Sequence, residues 1–287
     1  MSELPFRAID RRTALAALGA AAGLVALTAC STGSPAATPS ATAAGQLTTV
    51  TPGKLTIATG QPAYSPWVLD NKPQSGKGFE AAVAYAVAAK LGFAKGDVIW
   101  TRTTFDSAIA PGPKDFDLNI QQFSITTQRK KAVDFSSPYY KTTQAVVTTT
   151  DSPAAKITTL AGLKGIQLGV ATGTTSYTVT KAQVGVEPQI FNSNDDAVVA
   201  LKSGQIDGLV TDLPTAFYLA DAEVKHGTVL GQFAGSSGGD EFGIVLPKDS
   251  GLTTKVSAAV DAIRSSGQLA ALTKKWLSTA VDVPVFS

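Results

Sequence analysis

The stretch Asp117 to Tyr140, DLNIQQFSITTQRKKAVDFSSPYY, brings a guanidinium and a group of hydroxyls together. Leu118 to Gln121 alternates as a strand does, and the hydroxyls of Ser124, Thr126 and Thr127 follow at once. Arg129 then falls in the first turn of a short helix. Hydroxyls and free backbone N–H groups at a strand end, beside a guanidinium, can receive a small carboxylate. By residue type alone the same Ser and Thr could be ordinary helix caps. Asp212 poses the same choice. It ends the run Ile206 to Thr211 and precedes Leu213-Pro214, and proline suits the first turn of a helix. It reads either as a cap or as an anion at a strand end. Thr172 to Ser176 is a second donor cluster at a helix start, and alone it implies no more than a cap.

The elements that must position these groups alternate between strand and helix, which argues for α/β architecture. Lys54–Thr59, Asp97–Thr101, Leu118–Gln121, Gln144–Thr150, Gln167–Ala171, Ile206–Thr211 and Phe242–Leu246 read as strands. Phe79, Val83, Ala86, Val87 and Leu91 follow helical spacing, with Gly92 where a C-terminal cap belongs. A helix is expected from Asn194 to Leu201. Two amphipathic terminal helices follow, one showing Val256, Ala259, Val260 and Ile263, the other Leu269, Leu272 and Trp276. The halves echo each other: Asp117 opens one strand and Asp207 another, and each strand ends in candidate ligand groups. Open α/β sheets bind ligands outside the carboxyl ends of their strands, so two such units face to face would form a cleft.

Arg7, Arg11 and Arg12 precede the uncharged apolar run Ala14–Leu27, too short to span a bilayer and suited to a signal-peptide core. The run closes on Leu27-Thr28-Ala29-Cys30, which resembles the lipobox of bacterial lipoproteins. Cys30 is the only cysteine, so no disulfide can form within the chain. Arg11-Arg12 fits a twin-arginine signal, whereas Asp10 and Ala14 depart from that pattern, so both export routes stay open. Ser31 to Thr51 is Ser, Thr, Ala, Pro and Gly with almost no bulky apolar residue, the composition of a tether. Charge is nearly balanced at 24 Lys+Arg against 22 Asp+Glu, without a basic stripe for nucleic acid or lipid. With His226 the only histidine, a transition-metal site is not expected, and no cofactor is called for.

Ser124-Ile125-Thr126-x-x-Arg129 followed by Val133-Asp134-Phe135-Ser136-x-Pro138-Tyr139-Tyr140 resembles the signature of the amino-acid-binding proteins of ABC importers, solute-binding protein family 3. The likeness extends over most of Lys54 to Leu277. It implies a two-lobed type II periplasmic-binding-protein fold, each lobe a mixed sheet flanked by helices, crossed twice near Thr142–Val147 and Phe242–Val245. The expected division is 1–30 signal, 31–51 tether, 52–143 with 245–287 as lobe one, and 144–244 as lobe two.

A free amino acid offers a carboxylate and an ammonium, and burying either without a partner costs several kcal/mol. The resemblance implies that Arg129, with Ser124 and its backbone amide, takes the carboxylate. It implies that Thr172 and Thr175 add donors from lobe two and that Asp212 receives the ammonium. It places Tyr64 and Phe105 as walls about the ligand side chain, with Gln122 and Phe123 in the binding loop. Trp67 is expected to pack within its lobe, and Asp207 to be structural. Gln61 stands where binders of basic amino acids can carry Asp, which favours a polar ligand such as glutamine, asparagine or glutamate. The chain is then expected to be an exported monomer, lipid-anchored through Cys30 to the outer face of the cell membrane. Its partners would be an amino acid and an ABC permease with its ATPase. The alternatives are a cyclohexadienyl dehydratase-like enzyme on the same fold, and a sensor for a signalling partner.

Overall fold

The computed structural model describes residues 47–235, 240–277 and 283–287. The expected signal, Cys30 and the tether up to residue 46 lie outside these residues. The end of the expected tether is already part of the body. Leu47, a bulky side chain in a small-residue segment, is buried in the core, and the Val50 N–H donates to Asp117 Oδ1 at 2.8 Å.

Two mixed sheets organise the chain. The first contains β1 (Leu55–Gly60), β2 (Val98–Thr103), β3 (Leu118–Asn119), β4 (Val133–Phe135) and, from near the chain end, β12 (Val245–Pro247). Their order is β2-β1-β3-β12-β4, with β12 antiparallel to both neighbours. Every residue of β1 is buried, as expected of a central strand with parallel neighbours covered on both faces. The second sheet contains β6 (Gln144–Thr149), β7 (Leu168–Ala171), β8 (Gln189–Phe191), β9 (Gly208–Asp212) and β10 (Gly227–Gln232), in the order β10-β6-β9-β7-β8. The strand-opening acids do equivalent work in the two sheets. Asp117 Oδ2 accepts from the Thr56 N–H and Asp207 Oδ2 from the Gln167 N–H.

The first sheet packs on α1 (Phe79–Lys90), α7 (Thr253–Ser265) and α8 (Gln268–Leu277), whose apolar stripes meet in one core. The stripes are those that the helical spacing predicts, Val83 and Val87 on α1 and Val256, Val260 and Ile263 on α7. α5 (Asn194–Lys202) and α6 (Leu213–Tyr218) cover the second sheet. Shorter helices, α2 (Phe105–Ile109), α3 (Leu160–Leu163) and α4 (Thr175–Val179), complete the connections.

The strand expected over Phe242–Leu246 is two strands. β11 (Asp240–Phe242) pairs antiparallel with β5 (Tyr140–Thr142), and the chain then turns at Gly243–Ile244 into β12. The turn is held by Gly243 N–H to Phe123 O and Ile244 N–H to Ser136 Oγ, partners more than a hundred residues away. β5 and β11 are the two crossings between the sheets. Trp67 is fully buried beside them, edge-on to Tyr140 and Phe242 at 5.6 and 5.7 Å. It packs in its lobe as expected, and its Nε1–H also reaches Thr215 Oγ1 on α6 at 2.8 Å. The last residues leave the first lobe, where the sequence reading placed them. Val285 bridges to Gln232, and Phe286 packs on Phe233 with ring centroids 5.4 Å apart. A buried Phe offsets about 1.5–3 kcal/mol of ordering cost, enough to draw the chain end across.

Candidate functional site

The parallel strands of both sheets point their carboxyl ends at one cavity of about 150 Å³. That is room for a small metabolite rather than for a drug-sized ligand. Its wall comes from the segments that follow these ends. Gln61, Pro62 and Tyr64 follow β1, Thr104 and Phe105 follow β2, and Gln121, Gln122 and Ser124 follow β3. Thr172 and Thr174 to Ser176 follow β7, Asn192 to Asn194 follow β8, and Thr211 and Asp212 end β9. This is the strand-end placement expected for open α/β sheets.

Arg129 opens a single turn, and its backbone N–H donates to Thr126 Oγ1 at 3.1 Å. Its guanidinium is buried and spans the lobes. Nη1 donates to Ser124 O at 2.7 Å and Nη2 to Gly173 O at 2.8 Å. It lies 5.2 Å over the Phe105 ring, which in turn packs on Phe123 at 4.6 Å. Burial pushes the guanidinium down, opposed by the charges of Asp240, Asp212 and Asp106, and an arginine stays charged regardless.

Asp212 occupies the N-cap position of α6 yet makes no capping bond. Its Oδ1 instead accepts from Gln144 Nε2 at 2.5 Å. Burial, then the nearby Asp240 charge, pushes its carboxyl up to about 8, against the lowering effect of the Gln144 bond and Arg129. A cation at this wall would restore its charge.

Between these two groups lies a hydrogen-bonded chain. Ser124 Oγ and Thr175 Oγ1, from different lobes, are 3.3 Å apart. Thr175 Oγ1 donates to Asp240 Oδ2 at 2.6 Å, and Ser124 Oγ lies 3.4 Å from the same oxygen. Gln144 Nε2 also donates to Asp240 Oδ2 at 3.0 Å, and Ser176 Oγ donates to Gln144 Oε1 at 2.6 Å.

The structure brings Tyr64, Phe105, Gln122, Ser124, Arg129, Thr172, Thr175 and Asp212 together around the cavity. Phe123 is the exception. It is fully buried with Phe116 and Val133 and faces the core. The cause is Gln122, whose φ of +50° turns the chain and breaks the alternation. That turn is fixed by Glu80, which accepts from the Gln122 backbone and side chain and from the Tyr139 hydroxyl. Burial pushes Glu80 up to about 7, against the lowering by these bonds. Burial, then the charge of Asp195 on α5, pushes the Tyr64 phenol up. Sequence reasoning missed Asp240, Gln144 and the Asn192–Asn194 segment. Only the last had a local signal, a polar run before a predicted helix.

Among the described residues no three His, Cys, Asp or Glu side chains gather as metal ligands would. Among them, too, no helix is long and apolar enough to cross a membrane.

The chain is 30% identical over 225 residues to the L-arginine-binding protein of Pseudomonas aeruginosa, an alignment covering 75% of this chain and 85% of the relative. It is 30% identical over 165 residues to an ABC transporter glutamine-binding protein of Bacillus subtilis, covering 57% of this chain and 58% of that one. Among solved structures, an ancestral arginine-binding protein bound to glutamine superposes with a TM-score of 0.66 at 30% identity. That match covers 78% of this chain and 97% of the other. These relatives are binding proteins rather than enzymes, and so is this chain, with the two-lobed type II periplasmic-binding-protein fold. The model of one family matches residues 55–279, and with the cavity at the strand ends it establishes that the chain belongs to the bacterial extracellular solute-binding proteins, family 3.

Proposed function

We propose that this protein captures a polar L-amino acid between its lobes and delivers it to the permease of an ABC importer. One observation carries the reading. Arg129 and Asp212 are the only charged residues among the described residues that line the cavity, one from each lobe. They form a clamp of opposite charges for the α-carboxylate and the α-ammonium, each of which is costly to bury unpaired. The remaining polar wall is neutral: Gln61, Thr104, Gln121, Asn192, Ser193 and Asn194. Amides and hydroxyls suit a neutral polar side chain, so glutamine and asparagine lead and glutamate follows. Relatives named for arginine, histidine and glutamine support the class and leave the side chain to this wall.

The ligand draws the lobes together because only the closed arrangement satisfies both of its charges, a hinge mechanism. The protein works as a monomer outside the cell membrane, held by lipid on Cys30, the first residue left once residues 1–29 are cleaved off. Cys30→Ala should therefore abolish labelling by palmitate, and continued labelling would remove the anchor.

The test of the binding reading is thermal melting of the protein lacking residues 1–30 against the twenty L-amino acids. A ligand at a hundredfold excess over Kd adds about 2.7 kcal/mol, a rise of several degrees at roughly 2–4 °C per kcal/mol. Glutamine or asparagine should respond. Their decarboxylated and des-amino analogues should not, since each lacks half of the clamp. Silence to every amino acid with a response to a sugar or to prephenate would overturn the reading.

A further inference from the structure

Asp240 belongs to β11, one of the two crossings, and does not line the cavity. It lies behind the hydroxyls that do. Its Oδ2 accepts from Thr175 Oγ1 at 2.6 Å and from Gln144 Nε2 at 3.0 Å, with Ser124 Oγ at 3.4 Å. Gln144 is itself fixed by Ser176 Oγ at 2.6 Å, so the acceptor is built into the wall. Each hydroxyl has one proton to give. Thr175 gives its proton to Asp240, and among the described residues Ser124 has only Thr175 and Asp240 within reach as side-chain partners. The cavity side of both hydroxyls therefore carries lone pairs where a ligand carboxylate needs donors.

We propose that Asp240 is a specificity-determining residue that competes with the ligand's carboxylate for the Ser124 and Thr175 hydroxyls and ties the two lobes together through them. The inference rests on the amino-acid reading for its ligand. It goes beyond that reading by placing an internal carboxylate against the one that is bound. Charge points the same way. Asp240 and Asp212 share the Gln144 amide nitrogen, and Arg129 is the cation that they both face. A ligand carboxylate would enter as a further negative charge. Asp240 acts through the two hydroxyls, so a ligand whose carboxylate is replaced by a neutral amide, a weaker acceptor, should feel the competition less.

The experiment compares wild type with Asp240→Asn and Asp240→Ala by calorimetry. The probes are L-glutamine and L-arginine, each beside its α-carboxamide. Asparagine is nearly isosteric and can donate to Thr175 Oγ1, which returns the hydroxyl proton to the cavity. Both variants should bind the carboxylate forms roughly tenfold more tightly, as for one added hydrogen bond to a charged group. The α-carboxamides, whose neutral carbonyl is the weaker acceptor, should gain clearly less. Unchanged or weaker binding of the carboxylate forms, or equal gains for the carboxamides, overturns the proposal. Small-angle scattering in amino-acid-free buffer gives a ligand-independent arm. Asp240→Ala should have a larger radius of gyration than wild type, and equal radii overturn the proposal. If neither protein binds any amino acid, the amino-acid reading fails, and the scattering still decides the role of Asp240.

Discussion

Arg129 Nη2 donates to the backbone carbonyl of Gly173 at 2.8 Å, a bond from the first lobe into the second. The residue read from the sequence as a carboxylate receptor is therefore also a strut between lobes. Removing it should affect both roles. Arg129→Ala, and likewise Asp212→Ala, should weaken amino-acid binding by roughly 3–5 kcal/mol, because each leaves a buried ligand charge unpaired. Arg129→Lys should rescue only part of the loss, since a point charge cannot bond Ser124 O and Gly173 O as the planar fork does. Wild-type affinity in either alanine variant, by calorimetry, would remove that residue from the site.

Gly173 has φ +69°, and a Cβ there would run into Asp106 Oδ1. Gly173→Ala should cost about 1 kcal/mol or more from the backbone alone, and the clash should hold the lobes apart. Binding should weaken more than stability falls. A variant with full affinity would mean that the Gly173–Asp106 contact is not part of the closed arrangement.

Asp212 should release a proton when an ammonium arrives. Its carboxyl stands at about 8, and a cation beside it favours the charged form. Affinity should then rise by up to roughly tenfold per pH unit between pH 6 and 8 and level off above. Calorimetry in buffers of different ionisation enthalpy would measure the proton directly. A binding enthalpy that is independent of buffer would exclude the linkage.

Glu80 and Asp212 both have folded values, about 7 and about 8, above the ordinary carboxylate range near 4. For an acid raised on folding, the protonated form is the one that the fold favours. Their contribution is complete below pH 4 and is lost as pH climbs through 7 and 8. Melting temperature should fall over that range, and Glu80→Gln should flatten the decline. Equal slopes for the variant and wild type would show that Glu80 does not titrate in the fold.

Trp67→Phe keeps the ring stack and removes the Nε1–H bond to buried Thr215. The cost should be about 1–3 kcal/mol, read as a lower melting temperature. Trp67 emission should also respond to ligand, since its partner sits on the other lobe. A melting temperature equal to that of wild type would mean that the bond contributes nothing to the fold.

How much of this was legible depended on distance along the chain. Ser124 and Arg129 are five residues apart and hold each other through a local turn, so their string was readable. Asp212 was half legible. The proline after it predicted a helix start correctly, but the acceptor's true partner, Gln144, is 68 residues away. Asp240 left no local trace, because its partners Thr175 and Gln144 are 65 and 96 residues distant. β8 is three residues long, too short for its period to show, so the Asn192–Asn194 wall behind it went unread. Phe123 misled because the alternation that assigns strand faces fails at a positive φ, and Glu80, which holds that turn, is 42 residues upstream. The strand break at Gly243–Ile244 is invisible to hydropathy, since Phe242 before it and Val245 and Leu246 after it are all buried apolar residues.

The paired crossings have a mechanical consequence. Two separate linkers could let the lobes slide, splay or rotate about the long axis. β5 and β11 are instead joined to each other by a three-residue ladder, Asp240 to Thr142 through Phe242 to Tyr140. A short ribbon bends across its face with little cost, but shearing it would break ladder bonds. Trp67 packs against both crossings through Tyr140 and Phe242, so the ribbon is also braced. The lobes are thereby left with essentially one soft coordinate, like the leaves of a butt hinge, and thermal motion along it carries Arg129 toward and away from Gly173.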